Sequence, residues 1–323
     1  MTSVFGHLPD GRPVQRITIS SGALTASLLD HGARLQDLRL AGHAAPLVLG
    51  SPRLADYLGP MDSFGATVGR YANRIAGGRF TLDGQTFQLD RNERDRTCLH
   101  GGSGGLHRQL WQLEDHGPAH ATFALLLPDG HMGFPGALAA TVTYRCDGTT
   151  LRVTMEATPT APCPLSMANH AYFTLTDTGD IAAQELQVAA THYLPTDADK
   201  IPTGEIAAVT GTRFDFTRPT PIGPEPLDHC FCLDGDGPAA RLSTPGLALE
   251  VDTDAPGLQV YNAAHLPTPG LTGLEGRLYT ARAGLALETQ EWPDAPNRPA
   301  FPDPVIRPGE VYRNATAYRF VQG

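Results

Sequence analysis

Four residues in this chain have types and settings suited to proton transfer. His100 lies in Leu-His-Gly-Gly and His170 in Ala-Asn-His-Ala-Tyr-Phe; Asp228 lies in Leu-Asp-His-Cys-Phe and Glu288 in Leu-Ala-Leu-Glu-Thr-Gln. An unperturbed histidine titrates near ~6.5 and a carboxylic acid near ~4, so a matched pair can give and take a proton near neutral pH. Each residue also has an ordinary structural reading. A glutamate on a strand is usually solvated, and a histidine beside an aromatic is usually a hydrogen-bonded framework residue. Asp228 and His229 could be turn residues. Arg70 and Arg74, in Gly-Arg-Tyr-Ala-Asn-Arg-Ile, could be surface charges whose stems pack on the core.

Strand parity sharpens two of these. If Leu285 to Thr289 is a strand, Leu285 and Leu287 point to one face, and Gly284, Ala286, Glu288 and Gln290 to the other. The small residues on the second face would leave room for a molecule to approach Glu288. By the same parity His170 shares a face with Tyr172. Around His100, Gly101, Gly102, Gly104 and Gly105 make a bare loop. Such a backbone suits close approach of a ligand or a tight irregular turn equally well.

The elements that must carry these residues read as strands. Phe80 and Leu82 alternate with polar residues, Asp83-Gly84 makes a turn, and Phe87 and Leu89 resume the alternation, which is a hairpin signature. A second hairpin pairs Leu138 to Tyr144 with Leu151 to Ala157 around Asp147-Gly148. Further strands are expected at Val14 to Ser20, Leu24 to Leu29, Leu186 to Ala189, Leu247 to Val251, Leu258 to Ala263, Leu285 to Thr289 and Ala315 to Phe320. Long amphipathic helical periodicity is missing. The 35 glycines and 28 prolines are spread throughout, as turns between short strands would require. With no internal repeat and no shift in composition, residues 1–323 read as a single all-β domain, a large antiparallel sandwich.

Bulk properties narrow the partners. At 41% hydrophobic and 18% charged residues the chain should pack into a globule. Its net charge of −10 argues against nucleic acid and anionic membranes, and is neutral about an uncharged ligand. The opening MTSVFGHLPDGRPVQR has no basic stretch leading into an apolar run, and runs such as Phe123 to Leu127 are too short to span a bilayer. These features point to the cytoplasm, or to a soluble domain exported by another route. Cys98, Cys146, Cys163, Cys230 and Cys232 are odd in number and scattered, which suggests plain thiols. No His-Glu-x-x-His or paired Cys-x-x-Cys indicates a metal, and no phosphate-loop, dinucleotide or serine-elbow motif is present.

Taken together, the quoted segments resemble the aldose 1-epimerase (galactose mutarotase) family. The likeness runs in order from about residue 20 to the C-terminus, and its strongest blocks begin with Gly69-Arg70-Tyr71-Ala72-Asn73-Arg74-Ile75-Ala76-Gly77-Gly78, Leu99-His100-Gly101-Gly102 and Asn169-His170-Ala171-Tyr172-Phe173. Further blocks are Tyr193-Leu194-Pro195, Ile201 to Ile206 and Asp228-His229, and the last is Leu287-Glu288-Thr289-Gln290-Glu291-Trp292 with Pro293 to Asn297. The resemblance implies a galactose mutarotase-like β-sandwich with few short helices and an open cleft for a monosaccharide. It also implies an isomerase that interconverts α and β anomers without a cofactor or metal. At matching positions Glu288 would be the catalytic base and His170 the catalytic acid. His100, Asp228 and Arg74 would hold the sugar or support the chemistry, and Gln259 would line the pocket at a more variable position. The chain departs from the family pattern at Ser166 to Ala168, at Ala171 and at Cys230. It departs again in the charged segment Arg91 to Cys98, which lacks the usual Pro-Asn-Ser.

The chemistry suits these residues. Ring opening removes a proton from the C1 hydroxyl and delivers one to the ring oxygen. A carboxylate and a protonated histidine on opposite sides of the sugar could do both, with a modest upward shift making His170 a usable acid. Three rivals remain open. One is a carbohydrate-binding protein on the same fold; another is a glycoside hydrolase using Asp228 and Glu288 as its carboxylate pair. The third is an epimerase of sugar phosphates, which would need a basic cluster that the sequence does not signal. A monomer or a homodimer fits equally.

Overall fold

A computed structural model describes residues 1–235, 237–267 and 270–323. Short strands dominate; helical structure amounts to the four-residue helix Leu54–Tyr57 and a few single 3₁₀ turns among the described residues. Two large antiparallel sheets face each other across the main core. The larger has nine strands, in the order Gln112–His116, His120–Leu127, Leu138–Asp147, Thr150–Pro159, Tyr312–Gln322, Leu247–Thr253, Ala240–Thr244, Glu185–Val188 and Thr220–Pro221. The smaller has six: β1 (Tyr172–Phe173), β2 (His192–Tyr193), β3 (Ala207–Ala208), β4 (Asp228–Cys232), β5 (Gly257–Tyr261) and β6 (Leu285–Gln290). Its order is β1-β6-β5-β4-β2-β3. A four-stranded N-terminal sheet, Thr2–His7 to Arg34–Leu40, adds a further layer. The all-β sandwich expected from the alternation is the observed architecture.

Parity explains how the small sheet serves both the core and a site. Leu285 and Leu287 of β6, Leu258 and Val260 of β5 and Phe231 of β4 point inward to the main core. They meet Tyr318, Phe320, Val153 and Met155 of the large sheet, with the Phe173 and Tyr318 rings 4.8 Å apart. Burying one such large side chain stabilises the fold by ~1.5–3 kcal/mol. A buried polar clasp sits among them: Thr289 and Thr316 share a 2.6 Å hydroxyl hydrogen bond, and Asn314 Nδ2 donates to the Thr289 carbonyl at 2.7 Å. This clasp pins β6 one residue past Glu288. The alternate residues Asp228, Gln259, Tyr261, Ala286 and Glu288 therefore share the outer face.

Local differences from the expected elements have simple causes. Asp83 and Gly84 both have positive φ and join directly paired strands, as an Asp-Gly hairpin requires. In the second hairpin Asp147 pairs with Thr150, so the turn is Gly148-Thr149, one residue later than expected, with Gly148 supplying the positive φ. The strand expected to reach Ala263 stops at Tyr261, because Ala263 turns to φ +53°. All five cysteines are buried free thiols. No helix among the described residues is long and apolar enough to cross a membrane.

Candidate active site

The outer face of the small sheet forms the floor of a cavity of about 390 Å³, at the small end of the range typical of small-molecule sites. Glu288 rises from β6 and is 2% exposed; His170, between strand Ala168–Asn169 and β1, is 5% exposed. The His170 backbone is held on both sides: its N–H donates to Ala66 O at 2.8 Å, and its carbonyl accepts from Gly65 N–H at 2.9 Å. Asn169 adds a third tie by donating to Gly65 O at 3.1 Å. His170 Nε2 then lies 3.6 Å from Glu288 Oε1. Glu288 Oε2 and His170 Nδ1 are buried with no hydrogen-bond partner. Buried polar atoms nearly always have partners, so these two mark a place where a polar ligand belongs.

Burial sets the protonation of this pair. It pushes Glu288 up to about 8, helped by the nearby charge of Asp228 and opposed by Arg74. It pushes His170 down to about 4. The upward shift expected for His170 is therefore not what the structure shows, because withdrawal from water penalises both charged forms. Both shifts favour the uncharged forms, a carboxylic acid and a neutral imidazole.

His100 stands next to the pair, its ring 5.2 Å from that of His170. The Asn73 backbone N–H donates to its Nδ1 at 3.2 Å, which leaves Nε2–H as the donor of the neutral ring. Burial, followed by the charges of His170 and His107, holds it well below its ordinary value. The glycines around it have a structural purpose. A Cβ on Gly101, at φ +83°, would stand 2.0 Å from Gly69 O, and one on Gly105 would stand 2.4 Å from His100 O. The bare loop therefore lets chain pack on chain. Gly284 serves likewise: a Cβ there would lie 2.9 Å from Leu49 and 3.1 Å from Tyr172. The room expected above β6 at that point is filled by protein.

Asp228, at the start of β4, lines the cavity across from this pair. Gln259 pairs directly with Glu288 in the sheet and donates from Nε2 to Asp228 Oδ1 at 2.6 Å. It is 4% exposed and outside the cavity lining, so it orients Asp228 from behind. Arg74 lines the wall, its guanidinium gripped by Glu93 at 2.7 and 2.8 Å. Arg70 does not reach the cavity; it is buried against the carbonyls of Pro128, Pro135 and Gly136. His229 faces away and packs on Phe214, ring centroids 4.4 Å apart.

The cavity holds residues that the sequence reading did not select. Tyr172 and Tyr261, with rings 6.0 Å apart, form an aromatic wall. Tyr261 shares the parity of Gln259, and that parity was the available signal. His107 also lines the cavity and is held by Asp62, Nε2 to Oδ2 3.5 Å. Burial opposes the Asp62 charge, but hydrogen bonds from His107 and Arg108 hold it down at about 2. Leu106-His107 repeats the Leu-His beside glycines that marked His100, so the same criterion applied twice would have found it. His100, His170 and Glu288 place one donor atom each within 4.8 Å of one another, and these are donor types that can ligate zinc.

The sequence model of the family described as aldose 1-epimerase matches residues 15–319. The chain belongs to the aldose 1-epimerase family. It is 40% identical to a galactose mutarotase of Rattus norvegicus, over 98% of this chain and 97% of that protein. It is 37% identical to an aldose 1-epimerase of Escherichia coli, with 97% of each covered. Among solved structures it is similar to an aldose epimerase homologue from C. elegans, with TM-score 0.90 and 30% identity over 96% of this chain and 99% of that one. It is also similar to a galactose 1-epimerase from Lactobacillus acidophilus, with TM-score 0.89 and 28% identity over 100% and 98%. The family is one of isomerases acting on sugars, and the cavity lies on the fold that its solved members share.

Proposed function

We propose that this chain interconverts the α and β anomers of free aldoses such as galactose and glucose, with Glu288 and His170 as the proton-transferring pair. The observation that carries this reading is a carboxylate and an imidazole 3.6 Å apart at the floor of a polar cavity, each with an unpartnered atom. That separation leaves no space for a ring between them, so the pair does not flank the sugar on opposite sides. Instead the two groups reach neighbouring oxygens, the C1 hydroxyl and the ring oxygen, which are bonded to the same carbon.

One proton for the pair is the number the reaction needs. A C1 hydroxyl donating to Glu288 favours its carboxylate, and a ring oxygen accepting from His170 favours its imidazolium. Sugar binding thus moves the proton from Glu288 to His170. His170 then protonates the ring oxygen while Glu288 takes the hydroxyl proton. After rotation about C1–C2 the transfers run backwards onto the other face of the carbonyl. The neutral Nε2–H of His100, the Asp228 carboxylate and the Arg74 guanidinium hold hydroxyl groups, and Gln259 steadies Asp228. The reaction transfers protons alone and asks for no cofactor. We further read residues 1–323 as one cytoplasmic unit that works as a monomer or homodimer in carbohydrate metabolism.

The test is optical rotation of freshly dissolved α-D-glucose and α-D-galactose with wild type and Glu288→Gln. Acceleration by wild type alone is the expected result. Equal acceleration by a folded Glu288→Gln protein overturns the role of the glutamate. Sugar binding by calorimetry without any acceleration would instead make this a binding protein.

A further inference from the structure

The loop that carries His100 rests on one methionine. Gly104 N–H donates to Met132 Sδ at 3.2 Å, and the Ser103 hydroxyl donates to the same sulfur at 3.8 Å. A thioether sulfur is only a weak acceptor, yet here it receives donors from two consecutive residues of one loop. The Met132 methyl packs so close that a Cβ on Gly104 would stand 2.9 Å from Cε, and one on Gly102 would stand 3.2 Å from the Met132 Cβ. Asp90 closes the set: its N–H donates to the Met132 carbonyl at 3.0 Å, and its carboxylate accepts from Ser103 N–H at 2.5 Å. Within the loop, Gly102 N–H donates to Leu99 O and Gly105 N–H to Gly102 O, each at 3.0 Å. A shift of Gly104 therefore reaches His100.

Met132 is also the internal methionine that solvent can reach. Of the five methionines, Met61, Met155 and Met167 are 1% exposed or less. Met132 is half-buried beside the exposed Ser103, and Met1 is open at the chain start. The cysteines compete poorly. All five are buried. Burial pushes Cys98 and Cys232 up to about 12 and Cys146 and Cys163 up to about 11, and holds Cys230 well above its ordinary value. Little thiolate is left to react with a peroxide. Nor can Met132 retreat from the loop. It sits at φ +54° in the 3₁₀ turn His131–Gly133, and a Cβ on Gly133 would stand 2.1 Å from Gln88 O.

We infer that Met132 is a site of peroxide oxidation, and that its sulfoxide displaces the Gly104 stretch and weakens sugar binding through His100. The effect on binding rests on the proposed epimerase reading; the oxidation does not. The sulfur lone pair attacks one oxygen of the peroxide, the O–O bond breaks and an S–O bond forms. The transferred oxygen gives up its proton to the departing hydroxide, which leaves as water. Sulfur loses two electrons and the peroxide gains them. The new oxygen forms on a lone pair, and the donors that face the sulfur are Gly104 N–H and the Ser103 hydroxyl. An oxygen accepting from the amide takes up ~2.7–3.2 Å by itself, the spacing the sulfur already fills, so Met132 and the loop must separate. Met132 lies outside the lining of the cavity and so alters it only by way of the loop.

The experiment treats the whole protein with hydrogen peroxide, maps sulfoxides by peptide mass spectrometry, and follows mutarotation of D-galactose by polarimetry. Met132 and Met1 should oxidise before Met61, Met155 and Met167. We expect KM to rise roughly threefold to tenfold, the worth of one neutral hydrogen bond, with kcat less affected. Methionine sulfoxide reductases for both epimers should restore the original KM. Met132→Leu, a volume-conserving swap, should keep its KM through the treatment although Met1 is oxidised as before. Full oxidation of Met132 with unchanged KM overturns the proposal. Oxidation of the buried methionines ahead of it, or an equal rise of KM in treated Met132→Leu, overturns it too. If the untreated protein turns over no sugar, the epimerase reading fails, and hydrogen exchange of the amides of residues 100–105 decides the site by itself. Faster exchange after oxidation in wild type but not in Met132→Leu sustains the displaced loop; identical exchange removes it.

Discussion

The floor and the rim of the cleft are built in opposite ways. The floor is largely sheet: Glu288, Gln259 and Asp228 stand on β6, β5 and β4 at positions set by the ladder register, and His170 reaches it from the short link between Ala168–Asn169 and β1, tied through its backbone to Gly65 and Ala66. The rim is loop: His100 and Glu93 sit on turns with several residues at positive φ and glycines pressed against neighbouring backbone. A two-residue periodicity backed by a close-packed core fixes a side chain tightly, because any shift would disturb the whole ladder. A loop fixes its side chains one hydrogen bond at a time. Proton transfer needs tight positioning, which Glu288 has from the ladder and His170 from three hydrogen bonds around its backbone, whereas admitting differently shaped sugars needs less. The floor should therefore govern turnover and the rim should govern affinity and choice.

The largest effect should come from the floor. Glu288→Gln keeps the size of the side chain and its place in β6, yet cannot accept a proton. We expect kcat to fall by at least ~10³-fold with little change in KM, since a positioned general base alone is worth ~10²–10⁴-fold. A KM-dominated loss measured by polarimetry would put Glu288 with the binding residues and break the division between floor and rim. Next comes Gly101→Ala. Its Cβ would meet Gly69 O and its φ is +83°, so Gly101 must shift, and His100 with it. We expect KM to rise ~10-fold or more and stability to drop by ~1–3 kcal/mol, with kcat less affected. Unchanged KM and melting temperature would show that the loop tolerates displacement.

How much of this could be read in the sequence follows the same division. Alternation revealed the strands and placed Glu288 on the face opposite Leu285 and Leu287, because a sheet imposes a two-residue period on the chain. It could not show that this face is covered, since the walls come from Tyr172, Tyr261, His107 and the 91–108 region, distant in sequence. The resemblance to a known family supplied the residue roles that periodicity could not. Gln259 illustrates the limit: the resemblance placed it at the pocket, but only the hydrogen bond to Asp228 shows that it acts from behind. The protonation of the pair was also illegible. It depends on burial by the loops and aromatic rings that close over the outer face of the small sheet, and burial turned the expected rise of His170 into a fall.

That protonation gives the next test. In the free protein the singly protonated pair exists between the value of His170, about 4, and that of Glu288, about 8. Below the lower value both groups carry protons and no base remains; above the upper value both are deprotonated and no acid remains. We expect kcat/KM for glucose to be level between these limits and to fall about tenfold per pH unit outside them, as a property of the coupled pair. A single ionisation near ~6.5 would show instead that water reaches His170 and that the floor is less enclosed than its geometry indicates.

The smallest effect concerns stability, and it asks whether the floor is held at a cost. Glu288 has a folded value of about 8 against an ordinary 4.5. A group raised on folding contributes stability that is fully present below its unfolded value and is lost as pH rises through the folded one. Wild type should therefore lose stability relative to Glu288→Gln between pH ~4.5 and ~8, and the difference should level off above that. Each pH unit in this window corresponds to about 1.4 kcal/mol at most, and relaxation of the cavity or entry of water will reduce it. In urea titrations at pH 5, 7 and 9 the Glu288→Gln protein should overtake wild type as pH rises. Parallel stability curves for the two proteins would mean that the glutamate keeps its proton-binding properties on folding. The unpartnered Oε2 would then have to be solvated, and the sheet-borne floor would hold its catalytic group no more tightly than the loop-borne rim holds His100.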